Sequence, residues 1–154
     1  MDIDEARSRF AVLREKDSAV SDEELDSVWA ALPTVRVEAI LGRWRGTGFD
    51  TGHPLNKKLA RSGWYGKTFV AVHDAKPLIL RGEDGELYSD TELGKGEASL
   101  WMVEFRGEST ATMVYDGQAV FDHFKRVDDD TLMGIMNGKG FGDGPFFYFV
   151  LDRV

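Results

Sequence analysis

The last strand candidate of the chain is apolar on both of its faces, which constrains the fold more than any other feature. In Phe146–Leu151, both alternating sets of side chains are large and apolar. Because successive side chains of a strand point to opposite faces, both sides of this strand must be covered. We expect one face to line the interior of a barrel or sheet and the other to contact helices.

Two helices near the N-terminus are predicted to supply that cover. Between Ile3 and Glu15, apolar side chains recur at steps of three and four residues, which is typical of an amphipathic helix. Ser21 followed by Glu24 is a capping-box pattern, and it predicts a second helix that continues to Leu32 and stops near Pro33.

The rest of the chain consists mainly of β-branched and aromatic runs separated by glycine and polar turns. Asp116-Gly117 is a two-residue hairpin signal, and three consecutive aspartates at 128–130 indicate another turn. Short turns between strands predict an antiparallel meander. A short helix is predicted at Pro54–Arg61 and a loop at Gly138–Gly144. The strand candidates are Trp44–Phe49, Phe69–Val72, Pro77–Arg81, Ser99–Arg106, Ser109–Tyr115, Ala119–Val127, Thr131–Asn137 and Phe146–Asp152.

These elements predict a mainly β, α+β fold: an antiparallel barrel or sheet with two N-terminal helices packed against it. The 154 residues are expected to form a single domain. Its parts are a helical segment at 1–32, a first barrel region at 33–81 and a C-terminal meander at 98–154 that completes the same barrel.

Cysteine is absent, so no disulfide or cysteine-based zinc site is expected. The acidic start of the chain lacks the apolar run of a secretory signal, and no window approaches the roughly 20 apolar residues of a membrane span. From these features we expect a cytoplasmic protein.

The net charge of −8 is unevenly distributed along the chain. Residues 33–81 carry nine basic and three acidic side chains, whereas the segments on either side are acidic. Two interpretations stay open: oppositely charged segments lie against each other, or the basic side chains converge on an anionic ligand or a membrane surface. The overall negative charge disfavours nucleic acid as a partner.

The pentad Gly42-Arg43-Trp44-Arg45-Gly46 opens the first strand candidate. Glycines on each side let the backbone bend or approach closely while the indole plugs the end of a barrel, as in lipocalin-like barrels. Four further segments follow in order: Gly48-Phe49-Asp50-Thr51-Gly52-His53-Pro54-Leu55, Trp64-Tyr65-Gly66-Lys67, Met113-Val114-Tyr115-Asp116-Gly117 and Asp122-His123-Phe124-Lys125-Arg126-Val127-Asp128. Together these motifs resemble the bacterial family named for its GXWXG motif, with its companion C-terminal region of unknown function. Lys125 departs from the arginine expected in that family.

The resemblance implies a lipocalin-like small β-barrel or strongly curved sheet able to hold an apolar molecule, and it implies no established activity. Our leading hypothesis is a binding protein for a hydrophobic or amphipathic, anionic small molecule of the fatty acid or phospholipid class, held in an aromatic-lined barrel. The predicted ligand contacts are Trp44, Arg43, Arg45, His53, Trp64, Tyr65, Lys67, Trp101, Met113, Tyr115, His123 and Lys125.

The alternative is a small enzyme of the isomerase or hydro-lyase type, in which His123 acts as acid or base with Asp122, Asp116 or Tyr115. Strand alternation argues against the simplest version, because Asp122 and His123 then point to opposite faces. Three scattered histidines lack metal-ligand spacing, so neither a metal nor a cofactor is predicted.

A third hypothesis is a partner-binding protein with an exposed strand edge. As partners we expect a small ligand, no nucleic acid and no membrane span, with transient membrane contact left open. The protein is expected to be a monomer or a homodimer.

Overall fold

The computed structural model describes residues 1–141 and 145–154, which form three α-helices and nine β-strands. The helices are α1 (Ile3–Glu15), α2 (Asp22–Ala31) and α3 (Pro54–Ser62). The strands are β1 (Gly42–Gly48), β2 (Trp64–Ala71), β3 (Asp74–Arg81), β4 (Leu87–Ser89), β5 (Ala98–Phe105), β6 (Glu108–Tyr115), β7 (Phe121–Asp128), β8 (Thr131–Asn137) and β9 (Phe147–Arg153).

Most predicted elements are present, with two hairpin strands longer than expected. The candidate Phe69–Val72 overlaps the end of β2 and extends one residue beyond it, and Pro77–Arg81 is part of β3. The short strand β4 and a 3₁₀ turn at Val37–Ile40 were not predicted. Within the predicted loop Gly138–Gly144, Lys139–Phe141 form a 3₁₀ turn, and residues 142–144 lie outside the described residues.

The strands form one antiparallel sheet that closes into an eight-stranded barrel. Their order is β2-β1-β9-β8-β7-β6-β5-β3-β4, and an additional pairing of β2 with β3 completes the closure. Strand β4 pairs with β3 and lies outside the barrel. Only Ala75 and Ala98 pair where β3 meets β5. The predicted barrel architecture is therefore confirmed.

Strand β9 separates two apolar cores. Phe147, Phe149 and Leu151 belong to the core inside the barrel, whereas Tyr148 and Val150 belong to a second core under the helices. The second core contains the apolar stripe of α1 and that of α2. The prediction that this strand is covered on both faces is confirmed.

The two N-terminal helices begin at side-chain caps. Asp2 accepts a hydrogen bond from the Glu5 amide, and Ser21 and Glu24 form the predicted capping box at the start of α2. In the part of the chain that is described, no helix combines the length and the apolar character needed to cross a bilayer.

One end of the barrel is closed by the segment between α2 and β1. The Ala111 amide donates to the Val35 carbonyl, and the Arg126 amide donates to the Pro33 carbonyl, so this segment crosses between β6 and β7. Trp44 is buried at the same end, where its indole N–H donates to the Ile40 carbonyl at 2.9 Å. The prediction that this tryptophan plugs the barrel is confirmed.

The two-core architecture makes α2 essential to stability. Leu25 is fully buried between α2 and the sheet, and we expect Leu25→Ala to lower the free energy of unfolding by about 2–5 kcal/mol. The matched control is Val12→Ala, which truncates an exposed side chain of α1 and should change stability by less than about 0.5 kcal/mol. Urea unfolding followed by circular dichroism measures both. Equal effects would show that the helices do not share a core with the barrel.

Candidate functional site

A pocket enters the barrel beside α3. Its cavity volume is about 90 Å³. The walls are mainly apolar and come from strands on several sides of the barrel and from the segment after β4, including Leu78, Leu93, Met136, Phe147 and Phe149. Such concave apolar sites with a few polar groups are typical of small-molecule binding.

The pocket contains a buried ion pair between Lys67 and Asp122. The Lys67 ammonium lies 2.9 Å from Oδ2 of Asp122, and both side chains are almost completely buried. The hydroxyl of Tyr115 donates to the same Oδ2 at 3.2 Å, and Lys67 also donates to the Pro77 carbonyl at 3.3 Å. A buried pair of this kind is stable only when further hydrogen bonds satisfy its remaining polar groups.

Aromatic rings surround the ammonium group of Lys67. Its Nζ lies 5.6 Å from the ring centroid of Trp64, 5.8 Å from that of Tyr115 and 5.3 Å from that of Phe149. Each distance is within the range of a cation–π contact, and these contacts partly replace the hydration that the ammonium loses. The rings also fix the position of the ammonium inside the barrel.

The two carboxylate oxygens of Asp122 have different surroundings. Among the described residues, Oδ1 of Asp122 is buried and has no hydrogen-bond partner. Leaving a buried acceptor unpaired costs about 1–3 kcal/mol, and more for a charged group. Burial, together with the charge and the hydrogen bond of Asp122, raises the pKa of Tyr115 well above its ordinary value. Tyr115 therefore stays protonated and remains a donor to Oδ2.

An irregularity in β2 brings Trp64 and Lys67 into the same pocket. Strict alternation would place these two side chains on opposite faces, because they are three residues apart. The pairing of β2 with β3 shifts register between Trp64 and Gly66 and again between Gly66 and Thr68. Such bulges re-aim side chains. Gly66 also lets β1 approach, since a Cβ there would lie 1.9 Å from the Trp44 carbonyl oxygen.

The second glycine of the GXWXG pentad provides space for Trp64. A Cβ at Gly46 would lie 2.1 Å from Cη2 of the Trp64 indole. The indole N–H of Trp64 is directed at the Pro77 carbonyl, 3.4 Å away, which also accepts from Lys67. The pentad thus plugs one end of the barrel with Trp44 and makes room for the pocket wall with Gly46.

Helix α3 forms one side of the pocket mouth. Leu55 and Leu59 line the pocket, as does Lys58, and none of the nine residues of α3 is buried. The helix begins at His53, whose Nδ1 accepts from the Leu55 amide at 3.1 Å while Nε2 lies 3.0 Å from the Pro145 carbonyl. His53 therefore positions the helix and is not among the pocket-lining residues.

Three of the twelve predicted ligand contacts line the pocket: Trp64, Lys67 and Tyr115. Met113 lies in the barrel core beside them without lining the pocket.

The other aromatic and arginine candidates point elsewhere. The Trp44 ring is stacked against Arg153 at 4.2 Å at the closed end. The guanidinium groups of Arg45 and Arg81 lie over the ring of Tyr65 on the outside of the barrel. Trp101 is half exposed, and its ring stacks on that of His73. Arg43 is exposed. Of the basic side chains in residues 33–81, Lys58 and Lys67 line this pocket.

His123 and Lys125 lie on the helix-facing side of β7, opposite Asp122. His123 is 3.0 Å from the Thr112 hydroxyl and 2.7 Å from the Asn137 side-chain oxygen. Lys125 donates to the Trp29 carbonyl at 3.0 Å and forms an ion pair with Glu108. Both side chains make these contacts on the outer face of the barrel and do not reach the pocket.

The geometry corrects the acid–base grouping predicted from the sequence. Asp122 and Tyr115 meet in the pocket, but His123 is on the other face, and no bulge re-aims either side chain where β7 pairs with β6. Asp116 accepts from the Glu97 amide at 3.2 Å in the turn region. Across the described ranges, no group of three histidine, aspartate or glutamate side chains is arranged to bind a metal.

Several pocket residues were missed at the sequence level, although signals for them exist. Leu55 and Leu59 are four residues apart on the predicted helix and share a face. Phe147 and Phe149 alternate on β9. Asp122 was predicted only as a catalytic partner of His123 and not as a ligand contact, although it shares a face with Phe124. No local pattern indicates Leu93 or Gln118, because the folding of the barrel brings their loops to the pocket mouth.

Comparisons with known proteins agree with this description. The family model described as GXWXG protein matches residues 27–85, and the model described as Domain of unknown function (DUF4334) matches residues 96–153. A crystal structure of a protein from Thermomonospora curvata is 37% identical, with a TM-score of 0.88. The similarity covers 97% of this chain and 99% of that chain. A search of curated proteins finds no match.

The close contact between Gly46 and Trp64 yields a first test of the site. Gly46→Ala places a methyl group against the indole, so we expect the Trp64 ring to move and the free energy of unfolding to fall by about 1–3 kcal/mol. The Trp64 indole N–H resonance and urea unfolding report these changes. Thr47→Ala, at an exposed position of the same strand, is the control. An unchanged Trp64 resonance in Gly46→Ala would contradict the assigned contact.

The environment of His123 predicts a pH dependence of stability. Burial lowers its pKa, although the hydrogen bond with Asn137 acts in the opposite direction. Because the pKa is lower in the folded state, the unfolded chain binds more protons below about pH 6.5, and stability falls as the pH is lowered. We expect His123→Gln to weaken this loss between pH 7.5 and 5.5, as measured by urea unfolding. Identical losses in the two proteins would contradict the prediction.

Proposed function

The chain belongs to the family that joins a GXWXG protein region to a companion C-terminal domain of unknown function, and from this premise we propose that it binds a small amphipathic molecule in the barrel. The polar end of the ligand lies at Lys67, Asp122 and Tyr115. Its apolar part contacts the leucine and phenylalanine walls and extends toward α3.

One observation carries this proposal: an apolar pocket contains a buried, incompletely satisfied polar cluster. A cavity that resulted only from imperfect packing would be lined by apolar atoms, because burying charges is costly. Here Lys67 and Asp122 are held inside the barrel and line the cavity. In such a site the apolar walls supply affinity, and the few polar groups fix the orientation of the ligand.

The size and charge of the pocket revise the kind of ligand that we expected. Its volume of about 90 Å³ is smaller than the roughly 300–1,000 Å³ of sites for drug-sized ligands. A fatty acid or phospholipid would leave much of its length outside, so a shorter molecule fits better. Lys67 is neutralised by Asp122, and an anionic head group would meet a carboxylate beside the ammonium.

Binding is favoured over acid–base catalysis because the geometry separates the predicted catalytic residues. His123 and Asp116 do not line the cavity. Asp122 and Tyr115 do, but Asp122 is engaged by Lys67 and by the Tyr115 hydroxyl. These contacts fix the groups in place and are consistent with recognition of a ligand.

The direct test is to identify what the protein retains. Purified protein is extracted with organic solvent and the extract is analysed by mass spectrometry, with titrations of fluorescent fatty acids in parallel. We expect a compact amphipathic molecule in the extract and weaker binding of long-chain probes. An empty extract together with no affinity for any amphipathic probe would refute the binding function.

Filling the pocket provides the matched variant. Met136→Trp adds a large side chain to the cavity wall, and we expect retained ligand to fall at least tenfold while circular dichroism still shows a folded barrel. Leu87→Trp adds the same side chain at an exposed position of β4, outside the pocket, and should leave retention unchanged. Equal retention by the two variants would place the ligand elsewhere.

A further inference from the structure

We propose that the pocket selects an uncharged molecule with a hydroxyl group, of the alcohol or phenol class, and that this hydroxyl donates its hydrogen bond to Oδ1 of Asp122. This inference rests on the proposed binding function and specifies the chemistry that the pocket recognises.

One oxygen of Asp122 lacks a hydrogen-bond donor among the residues that the structure describes. A carboxylate accepts at both of its oxygens, and here Oδ2 already receives Lys67 and Tyr115. Oδ1 is buried and, within the described part of the chain, receives nothing. A ligand hydroxyl that donates to Oδ1 supplies the missing hydrogen bond.

The charge balance of the pair disfavours ions. Lys67 and Asp122 are 2.9 Å apart, so their charges largely cancel within the pocket. A carboxylate ligand near Oδ1 would be repelled by Asp122, and an ammonium ligand would be repelled by Lys67. In a low-dielectric interior such repulsion is poorly screened, which leaves an uncharged ligand as the best match.

A hydroxyl group also matches the remaining donor of Lys67. An ammonium group has three N–H donors, and two of them are directed at Asp122 and at the Pro77 carbonyl. A hydroxyl can donate to Oδ1 and accept from the third N–H, whereas an ether only accepts and a hydrocarbon does neither. Complementary donors and acceptors at a buried site exclude analogues that lack them.

The test compares probes of similar size but different chemistry. Binding of phenol, toluene, benzoate and benzylammonium is measured by NMR titration with the wild-type protein and with the double variant Lys67→Met/Asp122→Leu. Replacing both members of a buried pair with apolar side chains is often neutral for stability, so this variant is expected to fold. Lys76→Gln/Glu97→Gln removes an ion pair outside the pocket and serves as the matched control.

We expect the preference for phenol over toluene to fall by about ten- to hundredfold in Lys67→Met/Asp122→Leu and to be unchanged in the control. Wild-type protein should bind benzoate and benzylammonium more weakly than phenol. If toluene binds and the phenol preference is the same in all three proteins, the binding function stands and the hydroxyl inference is overturned. Tighter binding of benzoate than of phenol would also overturn it. If no probe binds to the wild-type protein, the hydroxyl inference is overturned, and the proposed function fails as well when the solvent extract is also empty.

Discussion

Burial of the last strands on both faces is the constraint on which this structure depends. Phe147 and Phe149 point into the barrel, while Tyr148 and Val150 point into the core beneath α1 and α2. A one-residue slip of β9 would exchange these two sets, so its register is strongly specified. The same alternation continues into β7, where it places Asp122 inside and His123 outside. Alternation in these two strands places Phe147, Phe149 and Asp122 on the pocket side of the sheet.

Inside the barrel, the ion pair and the aromatic rings together stabilise the buried ammonium group of Lys67. Three rings surround the Lys67 ammonium, and Asp122 supplies its counter-charge. Replacement of such a pair by apolar side chains frequently costs no stability, so stability alone does not explain its presence. Under the proposed binding function, the pair would orient a ligand at low entropic cost, because its polar groups are already fixed in the cavity wall and one acceptor has no partner among the described residues.

The sequence was sufficient to predict the helices, most strands and the barrel, because these follow from local periodicity and turn residues. It also predicted that Asp122 and His123 point to opposite faces. Sequence reasoning failed for the pocket residues whose positions depend on a break in strand alternation or on a loop. Trp64 and Lys67 share a cavity only because β2 bulges, and Leu93 reaches the mouth through a loop. Basic residues close in sequence, such as Arg43 and Arg45, do not converge with Lys67 because strand geometry separates their directions.

The GXWXG pentad connects the closed end of the barrel to the pocket. Trp44 fills the closed end, and two residues later Gly46 lies against the Trp64 indole. Trp64 in turn lies beside the Lys67 ammonium, and both are directed at the Pro77 carbonyl. A larger residue at Gly46 would push the indole toward the ion pair and reduce the cavity. The pentad therefore contributes to both the closed end and the pocket. Closing the end requires Trp44, whereas the glycine at position 46 is needed to leave space for the Trp64 indole.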